Sequence, residues 1–493
     1  MIHYSLLIGG KKVDTGETYD VISPGTGEVI ATVAKGSPAE VDAAVAAAEA
    51  AFENSGWRDT PMHERAAVIE RAAAALEARG EEISMLSARE NGTPVRLAQG
   101  LSVGFPVAHM RYYADLARKY VQDHPTMVAG TVVGMIRREP IGVVAGIVPW
   151  NFPLLLAVWK SIPAIAAGNS IVLKVDEKTP ATGLILAELL RESGLPDGVF
   201  NIITGDGPEV GGYLTAHPRV RKVSFTGSTA TGRTVMRNAA DNVKQVTLEL
   251  GGKGANIVLA DADLDLAVDG SLWAFLVHAG QACESGTRLY VHKDIYGDFV
   301  KRLVARAEGL TVGDPTDPGT DIGPLMNCSQ YDRVTGFVAG AIAAGATVAF
   351  QAPLPDSLHP DGQWVAPTVF TDVTADMSIA TDEIFGPVVS VIEFDDVDAV
   401  IAAANASEYG LSAGVWTTDY ARATEIANRL QAGTVWINDW HNLPGPLPFG
   451  GVKQSGFGRE MGPHAIEEFT NEKSICIDYS GREARAAWGL MFS

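Results

Sequence analysis

Between residues 140 and 260 the chain alternates short apolar runs, rich in β-branched residues, with segments of helical pattern. The runs are Gly142–Val148, Ser170–Leu173, Phe200–Ile203, Lys222–Phe225, Gln245–Leu248 and Asn256–Leu259. The helical segments are Ala181–Ser193, Pro208–Ala216 and Ala230–Ala239. Strand–helix–strand alternation at this spacing is typical of a doubly wound, mostly parallel sheet with helices on both faces. The pattern predicts an α/β fold.

A second alternation of the same kind runs from about Asp263 to Val435 and predicts a second α/β domain. Two domains also suit the length, since 493 residues exceed the size at which one hydrophobic core usually stops growing. Two segments differ from this pattern: residues 126–138, with β-branched runs around two glycines, and a last run at Ser474–Tyr479. Edge strands that pair with another subunit and an internal hairpin explain these segments equally well.

The overall charge and hydropathy disfavour several classes of partner. A formal net charge of −21 and a pI near 4.9 disfavour binding to nucleic acid or to an anionic membrane surface, because like charges repel. The longest apolar stretches, such as Ile141–Trp150, are far shorter than the roughly 20 residues that span a bilayer. We therefore expect no nucleic-acid partner and no membrane partner.

The cysteines and histidines indicate a reducing compartment and no metal site. The three cysteines, Cys283, Cys328 and Cys476, are widely spaced and odd in number, so they form no disulfide framework and no CxxC pattern. The ten histidines form neither HxxxH nor HxH pairs. These features favour a cytoplasmic location and make a structural metal improbable.

Polar and glycine-rich turns follow several of the predicted strands, where ligands bind in doubly wound sheets. Residues 204–211 form a GxGxxxG pattern, and residues 226–232 are similarly small. Such turns let backbone N–H groups face a pyrophosphate, although a purely structural turn fits each one alone. Lys174 and Glu177 follow another strand, where they could hold a ribose or simply form a solvated charge run.

Three polar residues are candidates for catalysis. Cys283 lies in a small, polar, turn-rich stretch where a thiolate can attack, although an unremarkable free cysteine fits equally well. Glu249 lies between two leucines at the end of a strand, and burial raises the pKa of such a carboxylate toward that of a general base. A buried salt bridge to Lys253 is the alternative. Asn151 follows a strand between two prolines and could donate to an oxyanion or hold a turn.

Six motifs in register make these residues part of one pattern. They are PWNFP at 149–153, FTGS at 225–228, LELGGK at 248–253, GQAC at 280–283, EIFGP at 383–387 and PFGG at 448–451. In this order they resemble the aldehyde dehydrogenase superfamily, and the resemblance runs from about residue 5 to residue 480.

The resemblance implies a fold and an assembly. It implies a doubly wound, Rossmann-like NAD-binding domain of residues 1–125 and 141–250 and an α/β catalytic domain of residues 251–445. A small β oligomerisation element would consist of residues 126–140 and 446–493. The expected assembly is a homodimer or a homotetramer.

The resemblance also implies an activity, the oxidation of a small-molecule aldehyde to the carboxylic acid with NAD or NADP. Cys283 would be the nucleophile that forms a thiohemiacetal and then a thioester, Glu249 the general base, and Asn151 an oxyanion donor. The implied cofactor contacts are Ile147, Pro149, Trp150, Lys174, Glu177, Gly207, Gly211, Phe225, Gly227, Ser228, Leu250, Gly251, Glu383 and Phe385. The implied substrate contacts are Phe152, Leu156, Trp159 and Phe449.

Two features within this pattern indicate which cofactor and which class of aldehyde to expect. Glu177 favours NAD, because its carboxylate would repel a 2′-phosphate, whereas Lys178 beside it would tolerate NADP. The implied substrate wall is apolar and aromatic without an arginine, which favours a medium-chain or aromatic aldehyde over a semialdehyde acid.

Two positions depart from the commonest pattern of the superfamily. Glu284 directly follows the expected nucleophile, and its carboxylate would disfavour a thiolate unless it points away or is paired. His278 stands where asparagine is common, and we assign it no chemical role.

Three rival functions stay open at the level of sequence. A CoA-acylating semialdehyde dehydrogenase needs no hydrolytic base, so Glu249 argues against it. A thiol hydrolase would pair Cys283 with a histidine, and none is close in sequence. A non-catalytic binding protein on the same fold has no need for Cys283, Glu249 and Asn151 together.

Overall fold

The computed structural model describes residues 2–129, 132–482, 485, 487, 488 and 491. Gly130, in the predicted pair of short β-branched runs, lies outside the described residues, as do several positions of the expected element 446–493 beyond residue 482.

Strands and helices alternate over most of the described chain. The strands are β1 Ile2–Tyr4, β2 Leu6–Ile8, β3 Lys11–Val13, β4 Thr18–Ile22, β5 Val29–Ala34, β6 Asp123–Ala129, β7 Val132–Pro140, β8 Val143–Ile147, β9 Ser170–Lys174, β10 Phe200–Ile203, β11 Lys222–Thr226, β12 Gln245–Glu249, β13 Ala255–Val258, β14 Arg288–His292, β15 Thr347–Gln351, β16 Thr368–Thr371, β17 Val388–Phe394, β18 Ser412–Trp416, β19 Thr434–Ile437, β20 Pro448–Phe449, β21 Gly456–Phe457, β22 Glu460–Met461 and β23 Thr470–Asp478. The helices are α1 Pro38–Asn54, α2 Met62–Ala78, α3 Gly80–Asn91, α4 Val95–Ala98, α5 Phe105–Lys119, α6 Pro153–Ala167, α7 Ala181–Glu192, α8 Gly212–Ala216, α9 Thr229–Ala240, α10 Leu264–Leu276, α11 Lys293–Ala307, α12 Cys328–Ala343, α13 Ser378–Thr381, α14 Val397–Asn405 and α15 Tyr420–Arg429. Short 3-10 or π turns lie at Trp57–Asp59, Gln99–Gly104, Gly207–Gly211, Val277–Gly280, Lys453–Ser455 and Glu467–Phe469.

The first large sheet has the strand order β21-β12-β11-β8-β9-β10-β2-β3. Strands β8 to β12 are parallel, and the N-terminal hairpin β2–β3 adds antiparallel strands at one edge. Alternate residues of β8 face opposite layers: Val144 packs in the core with α2, α5, α6 and α7, whereas Val143 and Ala145 pack with α1, α8 and α9. Because both faces are covered, β8, β9 and β10 are buried throughout, which explains why apolar residues predominate in them.

The second large sheet has the order β15-β16-β17-β14-β13-β18-β19. It contains the run Asn256–Leu259, which the sequence pattern had grouped with the first alternation, so that grouping was wrong. The reason lies in residues 251–254, which form no helix between β12 and β13. Parallel neighbours in one sheet need a crossover of a dozen or more residues, and without one the chain passes directly into the next sheet.

A third sheet of three antiparallel strands has the order β23-β7-β6. The predicted hairpin forms from β6 and β7, and β23 pairs with β7 from Thr470 opposite Pro140 to Asp478 opposite Val132. The two unusual segments therefore pair with each other within one chain. Over the described residues, none of the helices is long and apolar enough to cross a membrane.

Candidate active site

A cavity of about 370 Å³ lies where the carboxyl ends of β8, β11 and β12 meet residues of the second sheet's domain. It brings together most of the residues singled out in the sequence. Those in its wall are Pro149, Trp150, Asn151, Phe152, Leu156, Trp159, Gly227, Ser228, Glu249, Leu250, Gly251, Cys283, Glu383, Phe385 and Phe449.

Cys283 is presented to this cavity by a tight left-handed turn. His278, Ala279 and Gly280 have φ of +50°, +52° and +74°, which reverses the chain directly after α10. A side chain at Gly280 would meet the carbonyl oxygen of Gly386 at 2.2 Å, so only glycine fits there. Cys283 is half-buried in the cavity wall, and burial together with the Glu284 carboxylate raises the pKa of its thiol well above the ordinary value.

Glu249 ends β12 with its carboxylate in the same cavity. Neither oxygen has a hydrogen-bond partner among the described residues, and the same is true of Lys253 Nζ, so the alternative salt bridge does not form. Burial and the nearby Glu460 raise the pKa of Glu249 well above its ordinary value. Gly450, at φ +156°, leaves the space for this carboxylate, because a side chain there would meet Glu249 Oε1 at 2.6 Å. Glu249 is therefore a buried, unpartnered carboxylate, as a general base requires.

A second carboxylate beside Glu249 is neutralised by a lysine. Lys160 Nζ, on α6, lies 2.6 Å from Glu460 Oε1, and both side chains are almost completely buried. Lys160 partly offsets the effect of Glu460 on the pKa of Glu249.

Asn151 is fixed next to the cysteine loop. Its side-chain Nδ2 donates to the main-chain carbonyl of Gln281 at 2.9 Å, and its own main-chain carbonyl accepts from Asn91 Nδ2 at 3.2 Å. An amide nitrogen carries two hydrogens, so the second hydrogen of Asn151 Nδ2 remains to donate to a ligand bound in the cavity.

Two groups in the cavity wall, at Glu383 and at Ser228, could hold parts of a dinucleotide. Glu383 Oε1 accepts from the Gly252 N–H at 3.1 Å, and burial raises the pKa of Glu383 to about 7. Gly251 leaves room for Glu383, since a side chain at Gly251 would lie 2.5 Å from Glu383 Oε2. Ser228 caps the N-terminus of α9 by accepting from the Thr231 N–H, and a helix N-terminus of this kind attracts phosphate.

The remaining predicted cofactor contacts lie beyond the cavity wall, along the same sheet edge. They are Ile147, Lys174, Glu177, Gly207, Gly211 and Phe225. Lys174 is buried, and its Nζ lies 3.3 Å from Glu177 Oε2. These two residues therefore form an ion pair and are not part of a solvated charge run.

Comparison with known proteins decides the family. The model of the aldehyde dehydrogenase family matches residues 12–475. The chain belongs to the aldehyde dehydrogenase family. It is 42% identical over 475 residues to "Putative aldehyde dehydrogenase DhaS" of Bacillus subtilis (strain 168), covering 96% of this chain and 95% of DhaS.

Solved aldehyde dehydrogenases share the fold. The NAD+ complex of the aldehyde dehydrogenase from Bacillus cereus superposes with a TM-score of 0.94 at 41% identity, covering 97% of each chain. The NAD-dependent aldehyde dehydrogenase from Sinorhizobium meliloti gives 0.94 at 40% identity, covering 97% of this chain and 95% of that one. The predicted family, α/β fold class and enzyme class are thereby confirmed: this aldehyde dehydrogenase is an oxidoreductase that acts on aldehydes.

Several residues in the cavity of this aldehyde dehydrogenase were missed in the sequence. They are Leu101, Phe105, Leu155, Val277, Gln330, Arg333, His441, Leu443 and Glu460, whereas Thr226 belongs to the FTGS motif and Glu284 was noted beside Cys283 without a role. Gln330 offered no local signal, because its role comes from a distant contact: Nε2 donates to the Phe385 carbonyl at 2.6 Å. Phe105 and Leu443 are apolar residues that a sequence pattern assigns to an ordinary core.

The apolar wall is held in place by a buried histidine. His109 Nδ1 accepts from Trp159 Nε1 at 2.9 Å, which leaves Nε2–H to donate to the Leu443 carbonyl at 2.8 Å. Burial lowers the pKa of His109, so the ring stays neutral and can make both bonds. Trp159 and Phe449 then pack with ring centres 5.5 Å apart.

Proposed function

We propose that this aldehyde dehydrogenase oxidises an apolar, medium-chain or aromatic aldehyde to the carboxylic acid, with Cys283 as nucleophile and Glu249 as general base. The observation that carries the proposal is one cavity that holds Cys283, Glu249 and Asn151 beside an apolar wall of Phe152 and Trp159. An apolar pocket with a few convergent polar groups is typical of a small-molecule site.

The first step is addition of the Cys283 sulfur to the aldehyde carbon. The S–H proton passes to water, the C–S bond forms, and the carbonyl π electrons move to oxygen to give a thiohemiacetal oxyanion. The free Nδ2–H of Asn151 and the backbone N–H of Cys283 are the proposed donors to that oxygen. The Gln281 bond that fixes Asn151 serves this role, because a preorganised donor loses no energy to reorientation.

The cofactor is NAD, which when bound would accept the hydride of the thiohemiacetal carbon, so that the thiohemiacetal becomes the Cys283 thioester. Glu383 and Phe385 would hold its nicotinamide half, and the N-terminus of α9 at Ser228 its pyrophosphate. Lys174 and Glu177 would contact the adenosine ribose.

Hydrolysis of the Cys283 thioester completes the reaction. Glu249 takes a proton from water, the oxygen bonds to the acyl carbon, and the C–S bond breaks to release the carboxylate and the cysteine. A thiol hydrolase is disfavoured because the hydrogen-bond partner of Cys283 Sγ among the described residues is Glu284 and not a histidine.

A panel of aldehydes tests this function. We expect reduced nicotinamide to form fastest with medium-chain and aromatic aldehydes, slowly with semialdehyde acids, and without any requirement for CoA. Product analysis should find the free carboxylate. Strict dependence on CoA with an acyl-CoA product would establish the acylating alternative, and a preference for semialdehyde acids would contradict the proposed substrate class.

Discrimination between NAD and NADP should depend on Glu177. Burial alone would raise the pKa of Glu177, but Lys174 and Lys178 lower it, so the carboxylate is anionic at neutral pH. An anion at the ribose repels a 2′-phosphate, and we expect kcat/KM for NAD to exceed that for NADP by about 10- to 100-fold. Glu177→Gln should narrow this ratio. A wild-type preference for NADP would contradict the argument.

We further propose the domain limits of residues 1–125 with 141–250, 251–445, and 126–140 with 446–493. A homodimer or homotetramer would form through the sheet β23-β7-β6, whose outer strands β23 and β6 each pair only with β7 among the described strands. The side chain of Val128 in β6 is exposed, and so is that of Tyr479 directly after β23. A cytoplasmic location is supported by the three free cysteines.

A further inference from the structure

A buried carboxylate and imidazole lie directly beside the proposed nucleophile. The Cys283 thiol donates to Glu284 Oε2 at 3.2 Å, and the other carboxylate oxygen, Oε1, lies 3.0 Å from His441 Nδ1. Glu284 and His441 are almost fully buried, and both line the cavity. The Glu284 carboxylate therefore bridges the sulfur and the ring.

The bridge is held rigidly. Ser412 Oγ and Trp440 Nε1 both donate to the Glu284 carbonyl, at 2.9 and 3.0 Å, so the main chain of Glu284 is fixed from two sides. The His441 ring packs against tryptophan rings, with its centre 5.9 Å from that of Trp273. The carboxylate cannot turn away from Cys283 without loss of the His441 bond.

The charges around the sulfur indicate what this bridge does. Burial alone would raise the pKa of Glu284, but the bond to His441 holds it below the usual range, so the carboxylate is ionised. An ionised carboxylate only accepts hydrogen bonds, so its bond to Cys283 exists only while the sulfur carries its proton. The carboxyl groups of Glu383 and Glu249 also raise the pKa of Cys283 when they are ionised, and His441 Nδ1 lies within hydrogen-bond distance of Glu284 Oε1.

We propose that Glu284, anchored by His441, holds Cys283 as a hydrogen-bonded thiol in the resting enzyme. Glu284 is thus a positioning residue that acts through the nucleophile, and the inference rests on the proposed role of Cys283. We call this hydrogen bond from the Cys283 thiol to Glu284 the restraint. Because the thiolate is the form that is alkylated and oxidised, the restraint protects Cys283 of the free enzyme until substrate and cofactor are bound.

Alkylation of the resting enzyme tests this restraint without turnover. Wild type and Glu284→Gln are treated with iodoacetamide across a pH series, and labelling of each cysteine is followed by peptide mass spectrometry. The amide keeps an oxygen for His441 but removes the charge beside the sulfur. A roughly tenfold gain in thiolate is partly offset by about threefold lower nucleophilicity, so labelling of Cys283 near neutral pH should accelerate about three- to fivefold. Its pH profile should move to lower pH.

Two internal comparisons sharpen the test. Cys328 is exposed and is not part of the cavity wall, so its labelling rate in the same digests should be identical in all variants. Glu383→Gln also removes a carboxyl group near the sulfur, but that group has a pKa of about 7, is only partly ionised near neutral pH and makes no hydrogen bond to the sulfur, so this variant should accelerate labelling less than Glu284→Gln.

A second variant tests the role of His441, the hydrogen-bond partner of Glu284. His441→Phe fills the space among the tryptophans but removes the partner that keeps Glu284 ionised, so it should move the Cys283 profile in the same direction as Glu284→Gln. This variant carries the test if Glu284→Gln does not fold. A profile that coincides with wild type, or one that moves to higher pH, would overturn the proposal.

Failure of this inference is distinct from failure of the proposed function. If Cys283→Ser retains NADH formation, the nucleophile is wrong, whatever the alkylation rates are. If that variant is inactive while Glu284→Gln labels at the wild-type rate, only the restraint is wrong.

Discussion

Replacing Cys283 by alanine is expected to lower NADH formation by on the order of 10⁴-fold or more, because the covalent route depends on this sulfur. The variant should still fold. Cys283 is the only cysteine in the wall of the cavity, and its neighbours are positioned by their own bonds, such as Asn151 to the Gln281 carbonyl. The measurement is the steady-state rate with the best aldehyde of the panel, together with NAD binding.

Cys328→Ala provides the matched control. Cys328 begins α12, is exposed, and has no place in the cavity wall, so its loss should leave turnover unchanged. NAD binding should persist in Cys283→Ala, since none of the proposed cofactor contacts is altered. Turnover of Cys283→Ala within tenfold of wild type would rule out the thioester mechanism.

The sequence predicted those parts of the site that local pattern controls. Strands β8 to β12 were found because each is a short run that contains apolar and β-branched residues, as strands covered by helices require, and Glu249 was noticed because leucines flank it. Cys476 shows the limit of the same reasoning. It lies between two isoleucines, a pattern that favours burial, but β23 is an outer strand of its sheet and leaves Cys476 exposed.

Contacts between distant residues could not be predicted in this way. Glu284 looked unfavourable beside the nucleophile, since its partner His441 lies 157 residues away and carries no motif of its own. Likewise, nothing local links Lys160 to Glu460, 300 residues apart, although this pair sets part of the charge around Glu249. Such pairings are fixed by the packing of whole domains, which one sequence does not reveal.

Replacing Glu249 by glutamine should separate the two halves of the reaction. The amide cannot take a proton from water, so hydrolysis of the thioester should slow by about 10²- to 10⁴-fold while formation of the thioester continues. We expect a rapid burst of about one NADH per active site, followed by a very slow steady state, and a mass increase on the Cys283 peptide. Cys283→Ala should give no burst.

Turnover should depend on pH through the protonation state of Glu249. Burial and Glu460 raise the pKa of Glu249, so the wild-type base is protonated, and hydrolysis is lost, as pH falls through that raised value. Turnover should therefore rise with pH in the wild type, and this rise should be absent from the pH profile of Glu249→Gln. Hydroxylamine, a nucleophile that needs no general base, should restore turnover of the variant by cleaving the accumulated thioester. A variant without a burst that hydroxylamine does not rescue would show that Glu249 acts before the thioester forms, and would move its role to the first step.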